Sequence, residues 1–186
     1  KADTGGTVIL AFNKPRGITC TANKDDPDNI IDYIGYPRRI FTVGRLDKDS
    51  EGLILLTNDG ALADRIMRSR YGHEKEYIVT VDRDVEKDFL DRMESGVEIE
   101  EGVVTRRCRT ELIDPRRFRI ILRQGLNRQI RRMCEVLGYN VVRLQRIRVM
   151  NIQLGKLREG SYRDLSKAER QELMELVEAS RLAPKE

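Results

Sequence analysis

The chain has 186 residues, 39% of them hydrophobic and 35% charged, with a net charge of +4. That length supports one sizeable domain or two closely packed lobes, and no apolar run approaches the roughly 20 residues of a membrane helix. Three scattered cysteines (Cys20, Cys108, Cys134) and one histidine, His73, argue against a disulfide framework or a zinc site and fit a reducing cytoplasm.

In chain order, residues 7–12 (TVILAF) read as a buried strand and Asn13–Gly17 as a turn punctuated by Pro and Gly. Residues 18–21 suit a short strand, 23–27 a polar loop, and Asp28 the cap of a short helix over 29–34 that stops at Gly35. Residues 40–43 and 53–56 are apolar strands flanking the charged corner Gly44–Gly52. A helix over about 61–68 follows, with Leu62, Ile66 and Met67 on one face. Residues 74–81 alternate as a strand, with Tyr77, Val79 and Val81 on one side and Glu76, Ile78 and Thr80 on the other. An amphipathic helix over 84–95 rests on Val85, Phe89 and Met93. Strands are expected near 96–99, 102–112 and 117–123, a helix over 127–137 stopped by Gly138, and a strand over 141–154. Ser166 and Glu169 form a capping box for a last helix over about 167–179, with a frayed tail from Ser180. Strands in runs with scattered helices indicate an α+β fold on a largely antiparallel sheet.

Charge is unevenly placed. Residues 105–150 hold thirteen arginines, no lysine and three acids, giving +10 for that stretch and −6 for the remainder. Arginine suits bidentate phosphate contact and stacking on bases, so this stretch reads as a nucleic-acid footprint; a merely solvated charged face would mix signs and use Lys and Glu freely.

The charged corner FTVGRLDKDSEGLILLTNDG places Arg45 and Asp47 two apart at a strand end, on one face if extended. Asp47 can be a nucleophile, a general base, a metal ligand or a turn-capping residue. Asp47-Lys48-Asp49-Ser50-Glu51-Gly52 imitates the start of a calcium loop. The twelfth position, however, holds Asn58 rather than a bidentate Glu, and the flanks read as strands rather than helices. No P-loop is present to support a phosphate-handling enzyme.

GRLD followed by a polar turn and GLILLTNDG resembles the signature of the bacterial RsuA-type pseudouridine synthases. NKPRG (13–17), KEY (75–77) and GLNRQIRRM (125–133) resemble three further motifs of that family, in order, so that the likeness spans about residues 8–165. Leu126, where many relatives carry a basic residue, and RIRVMNI (146–152) are most similar to the RluF-type branch that acts on large-subunit ribosomal RNA.

The resemblance implies two lobes, roughly 7–80 plus the C-terminal helix and 81–155, sharing a long bent, mostly antiparallel sheet around a basic cleft. It implies Asp47 as the catalytic nucleophile, Arg131 as its basic partner, and Tyr77 as the residue that stacks on the uracil and assists loss of the C5 proton. It assigns Arg45 to the space left by a flipped-out base, and Lys14, Arg128, Arg132, Arg146 and Arg148 to RNA binding. No cofactor and no metal are expected, and attack by Asp47 on the base or on the sugar are both open. Arg45 paired to Asp49 or Glu51, and Tyr77 as an ordinary core aromatic, are the plainer readings of those residues. His73 reads as a loop residue, and the cysteines as small buried hydrophobes.

The expected activity is isomerisation of a uridine in large-subunit ribosomal RNA, with a second structured RNA left open as a substrate, by a cytoplasmic monomer. The alternative is a non-catalytic RNA-binding or ribosome-assembly module on the same scaffold. The small N-terminal RNA-binding domain usual in the family is expected to be missing from this stretch, whose first residue is Lys rather than Met.

Overall fold

The computed structural model describes residues 5–68 and 72–182 and builds the chain around one bent sheet. Its centre is β1 (Ile9–Lys14) against β3 (Glu51–Thr57), an antiparallel pair in which every residue of β1 has a partner. Alternation gives this pair two buried faces. Ile9, Ala11, Leu53 and Leu55 point into one core, while Leu10, Phe12, Ile54 and Leu56 point into another. The first core is closed by α2 (Gly60–Met67) and α5 (Lys167–Arg181), the second by α1 (Ile30–Ile34) and the buried Ile40 and Leu46. A sheet covered on both sides explains why β3 reads as a continuous apolar run.

The second lobe is built on β4 (Lys75–Val81), flanked by β8 (Arg117–Leu122) and β9 (Val141–Val149). Val79, Val81, Phe118, Ile120 and Leu144 pack against α3 (Lys87–Ser95) and α4 (Gln129–Val136) in a third core. β4 therefore belongs with the second core, and Val149–Leu154 return to the first, which moves both boundaries of the expected lobes. β7 (Arg109–Asp114) edges the second lobe and β11 (Tyr162–Asp164) the first; β2 (Phe41–Val43) pairs β3, and β10 (Ile152–Gln153) folds back on β9. Among the described residues nine strands share this sheet, and β5 (Glu98–Glu100) and β6 (Val103–Val104) form a separate hairpin.

The lobes join where β3 meets β9 through Glu51↔Gln145 and Gly52↔Arg146, the one parallel pairing in an otherwise antiparallel sheet among the described residues. Gly52 has φ +107°, and a Cβ there would lie 2.2 Å from the Arg146 carbonyl oxygen. The backbones approach too closely for any side chain, so the seam requires glycine.

Several local expectations shift. Asn29, not Asp28, caps α1, its side chain accepting from the Asp32 amide. Asp59 caps α2 in the same way. Residues 18–21 contribute one bridge, Thr19↔Asn29, rather than a strand. The expected strand over 102–112 breaks at 105–108, and that over 141–154 turns at Met150, whose φ is +53°. The capping box of α5 is present, and the helix runs to Arg181 instead of fraying at Ser180. Residues 183–186 of the expected tail lie outside the described residues. No helix among those described is long and apolar enough to cross a membrane.

Candidate active site

The loop from Gly44 to Ser50 joins β2 to β3 and is pinned on both sides of Asp47. Leu46 is buried, and its amide donates to the Cys20 sulfur at 3.4 Å. The Lys48 carbonyl accepts from the Gly17 amide at 2.7 Å and from Lys14 Nζ at 3.4 Å. The Ser50 amide closes back on the Asp47 carbonyl at 3.0 Å. A carboxylate placed this way is positioned before any substrate arrives.

Two cavities flank this loop and share Arg45, Leu46, Asp47 and Arg128 in their walls. The larger, about 490 Å³, lies between the lobes and is also lined by Lys75, Tyr77, Leu126 and Arg146. Among the described residues Asp47 is the one acid in its wall, against four cations, Arg45, Lys75, Arg128 and Arg146. The smaller, about 430 Å³, lies on the side of Arg16, Thr19 and Cys20.

The α4 arginines hold the loop. Arg128 donates to both oxygens of Asp49 at 3.0 Å and lies 3.6 Å from Asp47 Oδ2. It does so from a left-handed backbone, φ +50°, at the N-cap of α4. Arg131 is buried and donates to the Asp49 carbonyl at 3.0 Å and to Ser50 Oγ at 3.1 Å, with the Asp49 carboxylate 3.5 Å away. The hydrogen bonds from Arg128, with the nearby charge of Arg131, hold the Asp49 carboxyl below the usual range.

With this geometry in view, comparison with known proteins is decisive. Residues 8–136 match the family described as RNA pseudouridylate synthase. The chain belongs to that family.

It is 49% identical over 173 residues to the dual-specificity RNA pseudouridine synthase RluF of Salmonella typhi, covering 93% of this chain and 60% of that protein. It is 31% identical to ribosomal large subunit pseudouridine synthase B of Bacillus subtilis, covering 96% of this chain and 76% of that protein. A crystal structure of a pseudouridylate synthase, 31% identical, superposes with a TM-score of 0.84 over 92% of this chain and 74% of its own. The chain thus spans about 60% of the length of the RluF relatives it matches.

Within this pseudouridine synthase fold, Asp47, Tyr77 and Arg45 line one cavity. Arg45 is exposed and makes no ion pair among the described residues, which removes its plainer reading as a partner of Asp49 or Glu51. Tyr77 lines the cavity while packing against the two cores on either side of the seam.

The basic residues divide differently from expectation. Lys14 is 0% exposed, so it does not grip RNA; its ammonium donates to the carbonyls of Pro15, Ile18 and Lys48 and braces the Asp47 loop. Arg131 pairs with Asp49 rather than with Asp47, and Arg128 supplies the cation beside Asp47. Arg146 is buried, donating to the Leu53 carbonyl at 2.8 Å in the cavity wall. Arg148 is held between Glu74 and Glu76, at 3.3 and 3.1 Å. Arg132 is engaged by Glu100 at 2.8 Å. Ten of the thirteen arginines in 105–150 have a carboxylate partner, drawn mostly from outside that stretch.

Sequence reasoning missed two residues here. Lys75 lines the cavity, and burial, reinforced by the Arg146 charge, lowers its ammonium to about 8. It sits two before Tyr77 and extends the alternation already read for that strand. Asp49 is legible in the sequence as part of a calcium-like spacing or as a partner of Arg45; in the structure it ties both α4 arginines to the loop. Among the described residues no group of three or more metal-binding side chains lies together. His73 is buried, its Nε2 3.0 Å from the Arg65 carbonyl, away from the cavity wall. Cys134 and Cys20 are buried, whereas Cys108 is only half-buried and donates to the Met93 carbonyl at 3.2 Å. Burial pushes the thiols of Cys108 and Cys134 up to about 12, which disfavours the thiolate.

Proposed function

We propose that this chain carries the catalytic unit of a cofactor-independent RNA pseudouridine synthase acting on a uridine of large-subunit ribosomal RNA. The observation behind this reading is Asp47, held on a braced loop and, among the described residues, the one carboxylate lining a cavity with Tyr77 and four cations. The cavity, about 490 Å³, falls in the roughly 300–1,000 Å³ range of small-ligand sites. A uridine stacked in folded RNA reaches such a cavity only by leaving the stack. Arg45, exposed and in the cavity wall, fills the gap in this reading.

In this reading Asp47 attacks the flipped nucleotide and the bond between the sugar C1′ and uracil N1 breaks. The uracil turns, a bond forms from C1′ to C5, the bond to Asp47 breaks and restores its carboxylate, the C5 proton leaves and N1 gains a proton, so mass is unchanged. Tyr77 offers its ring as a stacking platform and its hydroxyl near the C5 proton. Arg128 and Arg131 hold the loop so that Asp47 keeps its aim, one directly and the other through Asp49 and Ser50. A cytoplasmic monomer is sufficient for this chemistry.

Tritium release from ribosomal RNA carrying 5-³H-uridine tests the proposal. Release by the wild type, abolished in Asp47→Ala, is the expected outcome. RNA binding without release from any ribosomal transcript would overturn it in favour of a non-catalytic RNA-binding module.

A further inference from the structure

Three arginines of the 105–150 stretch have no carboxylate partner among the described residues, and one of these, Arg146, is buried. The other two, Arg106 and Arg107, are adjacent and exposed. They sit on the strap between β6 and β7 where an uninterrupted strand was expected.

The strap is a built feature. The Thr105 amide donates to the Val97 carbonyl at 2.9 Å, and Thr105 Oγ1 accepts from the Val97 amide at 2.8 Å. The Arg106 amide donates to Gln124 Oε1 at 3.0 Å, and the Cys108 amide to the Glu94 carbonyl at 3.2 Å. Gly96 lets the strap lie close, since a Cβ there would be 2.5 Å from the Thr105 carbonyl oxygen. Gln124 is itself part of the wall of the larger cavity. The backbone is therefore fixed to the edge of the active site while both guanidinium groups stay unengaged.

We propose that Arg106 and Arg107 grip the phosphodiester backbone of the RNA strand that feeds its uridine into the cavity. This rests on the function proposed above. Guanidinium forks match phosphate oxygens in pairs, and no carboxylate competes for them here. A pre-fixed backbone lowers the ordering cost of the contact. Arg128, Arg132, Arg146 and Arg148 would have to surrender carboxylate or carbonyl partners first; these two would not.

The test is the affinity for a large-subunit ribosomal RNA transcript over a salt series, for wild type and Arg106→Gln/Arg107→Gln. Losing two phosphate contacts should flatten the plot of log K against log salt by about 1.4 to 1.8 and weaken binding roughly tenfold at low salt. Arg106→Lys/Arg107→Lys should restore the slope, because counterion release follows charge. Arg116→Gln/Arg117→Gln, which removes two arginines already paired with Asp84 and Asp114, should leave the slope unchanged. An unaltered slope in the folded glutamine variant, or a lysine variant as flat as the glutamine one, overturns the inference. Asp47→Ala separates the two readings, since it should lose tritium release while keeping the wild-type salt slope. If wild type releases no tritium but the strap variant still flattens the slope, the function falls and the strap stands.

Discussion

The two faces of β4 carry opposite kinds of electrostatics. On one face Lys75 and Tyr77 line a cavity in which cations outnumber a single acid, Asp47. On the other, Glu74, at the strand's entry, and Glu76 are neutralised by Arg109, Arg119, Arg123 and Arg148. Both faces draw on the same arginine-rich stretch. The cavity face has cations left for a substrate, whereas on the other face each of these four arginines is engaged with a carboxylate. A high arginine count therefore marks an RNA surface only after its ion pairs have been subtracted.

The largest effect is expected at the seam that sets these faces against the Asp47 loop. Gly52→Ala forces a Cβ into the Arg146 backbone at a positive φ. It should cost at least about 4 kcal/mol in urea denaturation and abolish activity with the fold. A variant of near-wild-type stability would show that the strands separate easily there.

The contrast between faces sharpens with two arginine variants. Arg148→Met removes a nearly buried cation from Glu74 and Glu76, which keep their other arginines. A loss of about 1–2 kcal/mol is expected, with tritium release by the folded protein within about threefold of wild type. Arg128→Met, at a more exposed pair, should cost under about 1 kcal/mol yet lower turnover by roughly ten- to a hundredfold. Reversal of the two phenotypes would collapse the distinction.

A smaller effect follows from Lys75, whose folded-state value near 8 lies below its ordinary 10.5. Between those pH values the unfolded chain binds more protons, so stability rises with pH across that window and the cost is constant below it. Lys75→Met should therefore stabilise the protein by on the order of 1 kcal/mol at pH 7, with the gain fading towards pH 10.5. Denaturation at both pH values checks this; an equal gain at both would contradict it.

These contrasts also explain what the sequence could and could not disclose. Alternation located β4 and put Tyr77, Val79 and Val81 on one side, where they meet the same core, and the helix expected over 127–137 contains α4. The corner itself is locally visible, because charge is bracketed by glycines between two apolar strands, whereas Asp47 is singled out within it by the likeness of GRLD to the family's signature. Ion pairing is not local. Arg128 meets Asp49 from 79 residues away, and Arg143 meets Glu51 from 92. Which arginines remain unpaired depends on strand order, and strand order is not written in any single segment. Lys14 misled for the same reason: beside Pro15 and Gly17 it reads as a surface cation, and only folding buries it under the loop it braces.

The most direct measurement compares two carboxylates two residues apart. Single-turnover tritium release from 5-³H-uridine ribosomal RNA would be followed for Asp47→Asn and Asp49→Asn. With Asp47 as nucleophile and Asp49 as the tie for Arg128 and Arg131, Asp47→Asn should release nothing above background, while Asp49→Asn should be slowed but active. Release by Asp47→Asn, or silence confined to Asp49→Asn, would assign the chemistry to the wrong carboxylate and contradict the site described here.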